Sequence, residues 1–170
     1  ENLLTGNDRR AELIAEQFRR YRGAWRQARA LAFCASVRHA EFMAEKFNAY
    51  KIPSMVVHGD TAPAERKAAT QRLRDREVNV LFTCDLFNEG IDLPFVDTLL
   101  FLRPTSSATV FLQQMGRGLR LSPDKPSCLI LDFVGQHRRE FRFDDVLSAV
   151  TGTPRGRLAK EVEAEFPTLP

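Results

Sequence analysis

The stretch from Gln113 to Arg120, Gln-Gln-Met-Gly-Arg-Gly-Leu-Arg, combines side chains suited to charge-stabilising chemistry. A guanidinium stays charged at every working pH and donates hydrogen bonds through a rigid fork. Arg117 and Arg120, beside the flexible Gly116, are therefore candidates to hold phosphate oxygens on a partner surface. The same residues are compatible with solvated arginines beyond a helix that Gly116 caps. Taken alone, the stretch favours this second interpretation.

A second polar stretch, Glu89-Gly90-Ile91-Asp92, follows the apolar, strand-like residues 79–83. Gly90 permits a backbone conformation that a side chain would block. The carboxylate of Asp92 can accept hydrogen bonds from two hydroxyls at once, as the edge of a ribose offers. Ligands of open α/β sheets bind at the carboxyl ends of strands, and this loop is a second candidate site.

Four blocks of the chain resemble motifs of the C-terminal motor domain of superfamily 2 helicases of the DEAD/DEAH type. Gln-x-x-Gly-Arg-x-x-Arg at 113–120 is similar to motif VI, and Glu-Gly-x-Asp-x-Pro at 89–94 is similar to motif V, to which Thr83 and Asp85 also belong by resemblance. Ala-Phe-Cys-Ala-Ser at 32–36 is similar to motif IV, and His58-Gly59-Asp60 with Arg66 is similar to the block called IVa. The resemblance covers most of the chain. It implies a RecA-like α/β fold of three layers, with a mostly parallel central sheet flanked by helices.

The resemblance gives each block a role around ATP and nucleic acid. Arg117 and Arg120 would act as arginine fingers, stabilising charge on the γ-phosphate as it is cleaved. The residues expected to contact ATP are Gln113, Gly90, Asp92 and Glu89. The residues expected to contact the nucleic-acid backbone or to position that contact are Ser36, His58, Gly59, Arg66, Thr83 and Asp85.

Simpler structural roles stay open for several of these residues. Ser36 follows an apolar run and can be an ordinary N-cap of the next helix. Asp85 can also cap a helix, and Cys84 can fill space in the core. His58 and Asp60 resemble an acid/base pair, but the sequence places no nucleophile near them.

One departure from the family pattern bears on the nucleic acid. Cys84 stands before Asp85, where DEAD-box proteins carry Thr. This difference weakens the inference that the chain acts on RNA as those helicases do. Glu-Gly-x-Asp-x-Pro is closer to DNA-directed, restriction-type translocases. The sequence therefore favours DNA over RNA.

The chain lacks two parts that phosphoryl transfer needs. It has no G-x-x-x-x-G-K-[ST] loop to hold phosphates and no Asp-Glu pair at a strand end to hold Mg²⁺. Because it also begins with Glu1 rather than Met, we expect a longer parent chain whose preceding RecA-like domain binds ATP with Mg²⁺ and completes the site. The isolated fragment is then expected to be inactive, and the whole protein to be an ATP-dependent helicase or translocase.

Two other functions compete with this hypothesis. The domain can be a non-catalytic module, derived from a motor half, that only binds nucleic acid or protein. It can also be a free-standing hydrolase that uses Cys84 or His58, which predicts activity from this fragment alone.

Composition bounds these choices. The 170 residues suffice for one domain with a real core, and the net charge of +3 rests on clustered arginines, which suits contact with polyanions. Cys34, Cys84 and Cys128 lie in or beside apolar runs without metal-ligand spacing, typical of reduced core residues in a cytoplasmic protein. No metal site is predicted in this chain, and no apolar run is long enough to span a membrane.

The first helix, capped by Asn7 or Asp8, has apolar residues spaced for packing at Ile14, Phe18, Tyr21 and Trp25. Its other face is either solvated or contacts phosphates. That face carries Arg9, Arg10, Arg19, Arg20 and Arg22, followed by Arg26 and Arg29.

Apolar runs alternate with helical periodicity through the rest of the chain, which predicts a mostly parallel sheet. The second helix follows Ser36 and places His39 at the surface, and the third begins near Pro63. Residues 1–150 are predicted to form the domain, with 1–29 a flanking helix, and 151–170 a linker and a final helix. Strands are predicted at 30–35, 54–57, 79–83, 98–102 and 127–133.

Overall fold

The computed structural model of the chain describes residues 7–84, 93–103, 125 and 127–134. Its helices are α1 (Asp8–Arg22), a short 3-10 helix (Trp25–Gln27), α2 (Val37–Ala49) and α3 (Pro63–Arg74). Its strands are β1 (Ala30–Phe33), β2 (Ser54–His58), β3 (Val80–Cys84), β4 (Thr98–Phe101) and β5 (Leu129–Asp132). Each predicted strand is present, with its ends shifted by two residues or fewer. None of the described helices is both long and apolar enough to cross a membrane.

The five described strands form one sheet in the order β2-β3-β1-β4-β5, and every neighbouring pair is parallel. Phe33 at the end of β1 lies opposite Thr83 of β3 and Phe101 of β4. Phe101 in turn lies opposite Asp132 of β5. The carboxyl ends of the strands therefore meet at one edge of the sheet, and their amino ends meet at the other.

Helices cover both faces of this sheet, as the RecA-like prediction requires. Alternate strand residues such as Ala32 and Phe82 belong to the core cluster that contains the buried residues of α1 and α2. The residues between them, such as Leu81, belong to the second cluster, which contains the buried residues of α3. Burial on both faces explains why the strands are continuous apolar runs. The three-layer α/β prediction is confirmed.

Phe47 of α2 joins the first helix to the sheet. Its ring lies 6.1 Å from the ring of Phe18 in α1 and 5.0 Å from the ring of Phe82 in β3, measured between centroids. All three side chains are completely buried. Aromatic pairs at these separations add to the free energy of apolar burial.

The packing face of α1 is shorter than its apolar spacing predicts. Asn7 caps the helix, as expected, and the buried residues of α1 end at Phe18. Tyr21 is 59% exposed, so the prediction that it belongs to the packing stripe is wrong. Trp25 packs against the same core cluster as α1, but from the separate 3-10 helix. The reason is Gly23, whose φ of 64° ends the helix before another turn can form.

Both α2 and α3 end with a charged residue in the left-handed conformation. Lys51 follows α2 with φ of 61°, and Arg76 follows α3 with φ of 62°. In each case the next residue donates its backbone N–H to a carbonyl five residues back: Ile52 to Phe47, and Glu77 to Arg72. This is the Schellman arrangement, in which glycine is the residue of least strain.

Several arginines of the first helix are held by the protein itself. Arg10 donates to the carbonyl oxygen of Phe133 at 2.8 Å, beyond the end of β5. Arg19 donates to the carbonyl oxygen of Tyr50 at the end of α2. These bonds tie α1 to the layers beneath it, so much of this basic face has a structural role.

Asp97, immediately before β4, forms ion pairs with two more arginines of this region. Its Oδ2 lies 3.3 Å from Nη2 of Arg22 and 3.5 Å from Nε of Arg29. Its Oδ1 accepts from the backbone N–H of Arg29 at 3.2 Å and from the hydroxyl of Thr98 at 2.8 Å. Because Asp97 is buried, this carboxylate fixes the segments that enter β1 and β4.

Phe47→Ala is expected to lower the free energy of unfolding by about 3–5 kcal/mol, because it leaves a cavity between α1, α2 and β3. Urea unfolding monitored by circular dichroism measures this change. Phe42→Ala, in the same helix at a partly buried position, is the matched control and should cost clearly less. Equal losses for the two variants would contradict the central position of Phe47.

Candidate functional site

Three of the four sequence blocks have residues at the carboxyl edge of the sheet, on adjacent strands. Ser36 follows β1. His58 ends β2, and Gly59 follows it. Thr83 is the last residue but one of β3. His58 lies opposite Cys84, and β3 is hydrogen-bonded to both β1 and β2. Residues distant in sequence are thus brought to one edge, the place where open α/β sheets bind ligands.

Ser36 is the N-cap of α2. Its extended backbone, with φ of −153° and ψ of 165°, lets the side-chain oxygen accept from the backbone N–H of His39 at 3.1 Å. The predicted cap is confirmed. A hydroxyl that accepts one hydrogen bond still carries its own hydrogen, so the capping role and donation to a phosphate oxygen are compatible. The nucleic-acid contact of Ser36 stays a prediction.

The prediction that His39 lies on the surface is wrong. Its side chain is completely buried, and Nδ1 accepts from the backbone N–H of Ala35 at 3.2 Å. Ala35 lies in the turn where the chain leaves β1, and its backbone N–H has no partner in the described strands to accept its hydrogen bond. His39 supplies it, and with Ser36 it fixes the shape of the turn at this edge.

The loop after β2 is closed by reciprocal hydrogen bonds. The backbone N–H of His58 donates to Oγ1 of Thr61 at 3.0 Å, and the backbone N–H of Thr61 donates to the carbonyl of His58 at 3.1 Å. The N–H of Asp60 donates to Nδ1 of His58 at 3.3 Å. Because Nδ1 is engaged within the loop, Nε2 is the ring nitrogen left to contact a ligand.

Arg66 holds this loop from α3. It is only 9% exposed, and its Nη2 donates to the carbonyl oxygens of Gly59 at 3.1 Å and Thr61 at 2.8 Å. Hydrogen bonds from a charged donor are stronger than neutral ones. In this arrangement Arg66 orients the loop. A direct contact between Arg66 and nucleic acid stays a prediction.

Thr61 is a residue that sequence reasoning missed. Its hydroxyl and backbone both bond to His58, and its carbonyl receives Arg66. A hydroxyl residue three positions beyond the end of a strand is a recognisable turn signal, because its side chain can bond to the nearby backbone. The block His58-Gly59-Asp60 therefore extends to Thr61.

Gly59 is not required by the folded structure around it. A methyl group built on its Cα meets no atom of the described residues within 4 Å, and its φ lies outside the left-handed region. Glycine here leaves an open approach to the loop backbone. Such an approach is what close contact with a ligand's backbone needs.

Thr83 is buried below this edge, with 1% of its surface exposed. Its carbonyl accepts from the backbone N–H of Cys34 at 2.8 Å, which joins the ends of β3 and β1. No described residue accepts from or donates to its hydroxyl. A buried hydroxyl without a partner costs about 1–3 kcal/mol, so this group is poised for a partner at the end of β3. Its predicted phosphate contact stays a prediction.

The cysteines behave as core residues. Cys34 and Cys84 are buried, and Cys128 is half-buried. Burial raises the pKa of the Cys34 thiol, and it raises the pKa of Cys128 to about 11. Both thiols are therefore protonated at neutral pH, and a thiol is a far weaker nucleophile than a thiolate. The burial of Cys84 likewise disfavours the hydrolase hypothesis.

The remaining predicted site residues lie outside the described residues. They are the motif V residues Asp85, Glu89, Gly90 and Asp92, and the motif VI residues Gln113, Arg117 and Arg120. Their roles stay predictions.

Arg66→Ala is expected to loosen the loop after β2. Losing two charge-assisted hydrogen bonds should speed amide exchange at Thr61 about tenfold or more, while exchange in β3 changes less. Hydrogen exchange followed by NMR separates these amides. Lys67→Ala, at the exposed neighbouring position, is the matched control. Unchanged exchange at Thr61 in the Arg66 variant would show that Arg66 does not hold the loop.

Residues 13–122 match the family described as the helicase conserved C-terminal domain. Over 105 residues, 62% of this chain, the sequence is 37% identical to the ATP-dependent helicase IRC3 of Saccharomyces cerevisiae. Over 118 residues, 61% of this chain, it is 32% identical to the type I restriction enzyme EcoKI endonuclease subunit of Escherichia coli. Over 139 residues, 80% of this chain, it is 27% identical to the ATP-dependent rRNA helicase spb4 of Schizosaccharomyces pombe.

The chain spans only 15%, 10% and 22% of these three proteins, respectively. Among solved structures, the C-terminal domain of the DEAD-box protein Dbp5 superposes with a TM-score of 0.61, covering 84% of this chain and 77% of that one. At 19% sequence identity this likeness concerns the fold. The family match covers more than half of the chain, and the chain therefore belongs to the helicase conserved C-terminal domain family.

Proposed function

We propose that this chain is the second motor domain of an ATP-dependent superfamily 2 helicase or translocase. The observation that carries the proposal is the placement of Ser36, the His58 loop and Thr83 at the carboxyl ends of three adjacent parallel strands. These residues belong to three separate sequence blocks, and the fold gives them one shared edge. The family match and the ATP-dependent relatives support the same function.

ATP is the substrate in this proposal, and the chain contributes one side of its site. Arg117 and Arg120 stabilise the charge that develops on the γ-phosphate. Asp92 accepts from the ribose hydroxyls beside Gly90 and Glu89, and Gln113 contacts the phosphate side of the cleft. A preceding RecA-like domain of the same polypeptide supplies the phosphate-binding loop and holds Mg²⁺, which neutralises phosphate charge when bound.

The nucleic acid binds at the carboxyl edge through its backbone. Ser36 has a hydroxyl hydrogen left for a phosphate oxygen, and Gly59 leaves the loop backbone open to close approach. The Nε2 of His58 is the ring nitrogen left for a contact in the same loop. Contacts of this kind position a strand without reading its bases. Closing and reopening the ATP cleft would then alternately grip and release one strand.

DNA is the nucleic acid that we propose. Cys84 in place of the DEAD-box Thr, together with Glu-Gly-x-Asp-x-Pro, is closer to restriction-type translocases, and a type I restriction subunit is among the relatives. An rRNA helicase is also among them, so RNA is the competing substrate. Parallel measurements with both nucleic acids decide between them.

Gly59→Val is expected to weaken nucleic-acid binding by the full-length protein about tenfold, because the added side chain blocks approach to the loop. Stability should change by less than about 1 kcal/mol, since no described atom lies in the way. Fluorescence anisotropy with single-stranded DNA and RNA measures binding, and thermal melting measures stability. Ala24→Val, at an exposed position near the opposite edge, is the control. Undiminished affinity in the Gly59 variant would show that the nucleic acid binds at another surface.

Arg117→Ala in the full-length protein is expected to lower nucleic-acid-stimulated ATP turnover by about 10³-fold or more while ATP still binds. Arg38→Ala, which removes an exposed arginine of α2, should retain turnover. A coupled phosphate-release assay with DNA, with RNA and with neither measures both variants.

Each alternative outcome has a clear meaning. Unchanged turnover in the Arg117 variant would show that Arg117 is not an arginine finger. An unmodified full-length protein that binds nucleic acid but never hydrolyses ATP would instead be the non-catalytic module.

A further inference from the structure

A cleft of about 400 Å³ lies at the amino edge of the sheet, opposite the edge where Ser36, His58 and Thr83 lie. Its walls come from the end of α1, the turn after α3 and the segments that lead into β1, β4 and β5. The cleft falls within the size range of small-molecule sites. Its charged and hydroxyl-bearing residues include Arg22, Arg29, Arg76, Lys125, Asp97 and Ser127.

Positive charge dominates this lining. Four of these side chains are cationic at neutral pH, and Asp97 is the one carboxylate among the described residues that line the cleft. The carboxylate of Asp97 forms ion pairs with Arg22 and Arg29, so its negative charge is already compensated by two guanidiniums. Cations held together at a concave surface raise the local concentration of small anions.

Arg76 enters this cleft from a strained backbone position. It occupies the left-handed residue after α3, where glycine would be the least strained choice. Its Nε donates to the carbonyl oxygen of Gln27 at 3.3 Å, which holds the side chain across the mouth of the cleft while the residue stays exposed. A planar guanidinium held in this way is well suited to phosphate oxygens.

Lys125 is a buried cation of the cleft, as Arg29 is. It is 7% exposed, and burial together with the charge of Arg29 lowers its pKa, while Cys128 and Asp97 act in the opposite direction. An anion bound between Lys125 and Arg76 could accept hydrogen bonds from both cations, and Ser127 adds a hydroxyl donor to the same wall.

We propose that this amino-edge cleft binds a small phosphorylated molecule, with its phosphate groups between Arg76 and Lys125. The cleft has room for more than one phosphate, and its donors are of the kinds that phosphate oxygens accept. The cleft lies at the amino ends of the strands, whereas Ser36, His58 and Thr83 lie at their carboxyl ends. It would let a soluble metabolite or nucleotide act on the domain from the edge opposite these residues.

Isothermal titration of the 170-residue chain with pyrophosphate tests this site. Arg76→Asn and Lys125→Gln are each expected to weaken binding about tenfold, the worth of one charge-assisted hydrogen bond. Asn tolerates the left-handed backbone, so the first variant removes the charge and keeps the turn. Lys51→Asn is the matched control. It removes one positive charge from the equivalent left-handed position after α2, outside the cleft, and should leave the affinity unchanged.

The outcomes distinguish this site from the motor site and from general charge attraction. Undetectable binding, or equal affinity in the Arg76 and Lys125 variants and the unmodified chain, would overturn the proposal. An equal loss of affinity in the Lys51 variant would show that pyrophosphate binds through the net positive charge of the chain and not at this cleft. Loss of binding in Arg117→Ala with none in Arg76→Asn would assign the anion to the motor edge. Displacement of pyrophosphate by single-stranded DNA lacking terminal phosphates would assign the cleft to nucleic acid instead.

Discussion

The parallel pairing of β3 with both β1 and β2 is the constraint on which the candidate site depends. β3 is buried along its whole length, and its register sets Thr83 opposite Phe33 and Cys84 opposite His58. A shift of one residue would turn each β3 side chain to the other face of the sheet. The apolar run of β3 thus does more than fill the core. It determines which loops share an edge, and hence which chemistry can be combined.

The sequence predicted the strands well because strands buried on both faces are continuous apolar runs. It also predicted the caps at Asn7 and Ser36, whose side chains bond to nearby backbone. It failed at Tyr21 and His39, where the outcome depends on tertiary packing. Helical spacing cannot show that Gly23 ends α1, and nothing local shows that His39 is needed as an acceptor inside the fold. Within the site, placement at the edge was predictable, whereas the bonds that fix each loop were not.

The arginines show most clearly what spacing leaves out. Their number and clustering indicate a basic surface, yet Arg10, Arg19 and Arg66 bond to backbone carbonyls, and Arg22 and Arg29 share one carboxylate. Apart from those of Arg66, the partners lie between 31 and 123 residues away in sequence, so no local pattern reveals them. Net charge is therefore a poor guide to the proposed nucleic-acid surface. The better guide is the set of hydroxyl and backbone groups that the fold leaves open at the carboxyl edge.

The two edges of the sheet are mechanically close. β1 has only four residues, a length of about 13 Å, with Arg29 immediately before it and the Ser36 turn just after it. The strand is buried and close-packed, and such interiors transmit a displacement rather than absorb it. Asp97 fixes the start of β1 to the start of β4, so the two strands move together at the amino edge. The proposed anion, between Arg76 and Lys125, would lie in the cleft that Arg29 also lines, at the start of a strand whose other end leads to Ser36. Binding at one edge would then be felt at the other through this short strand.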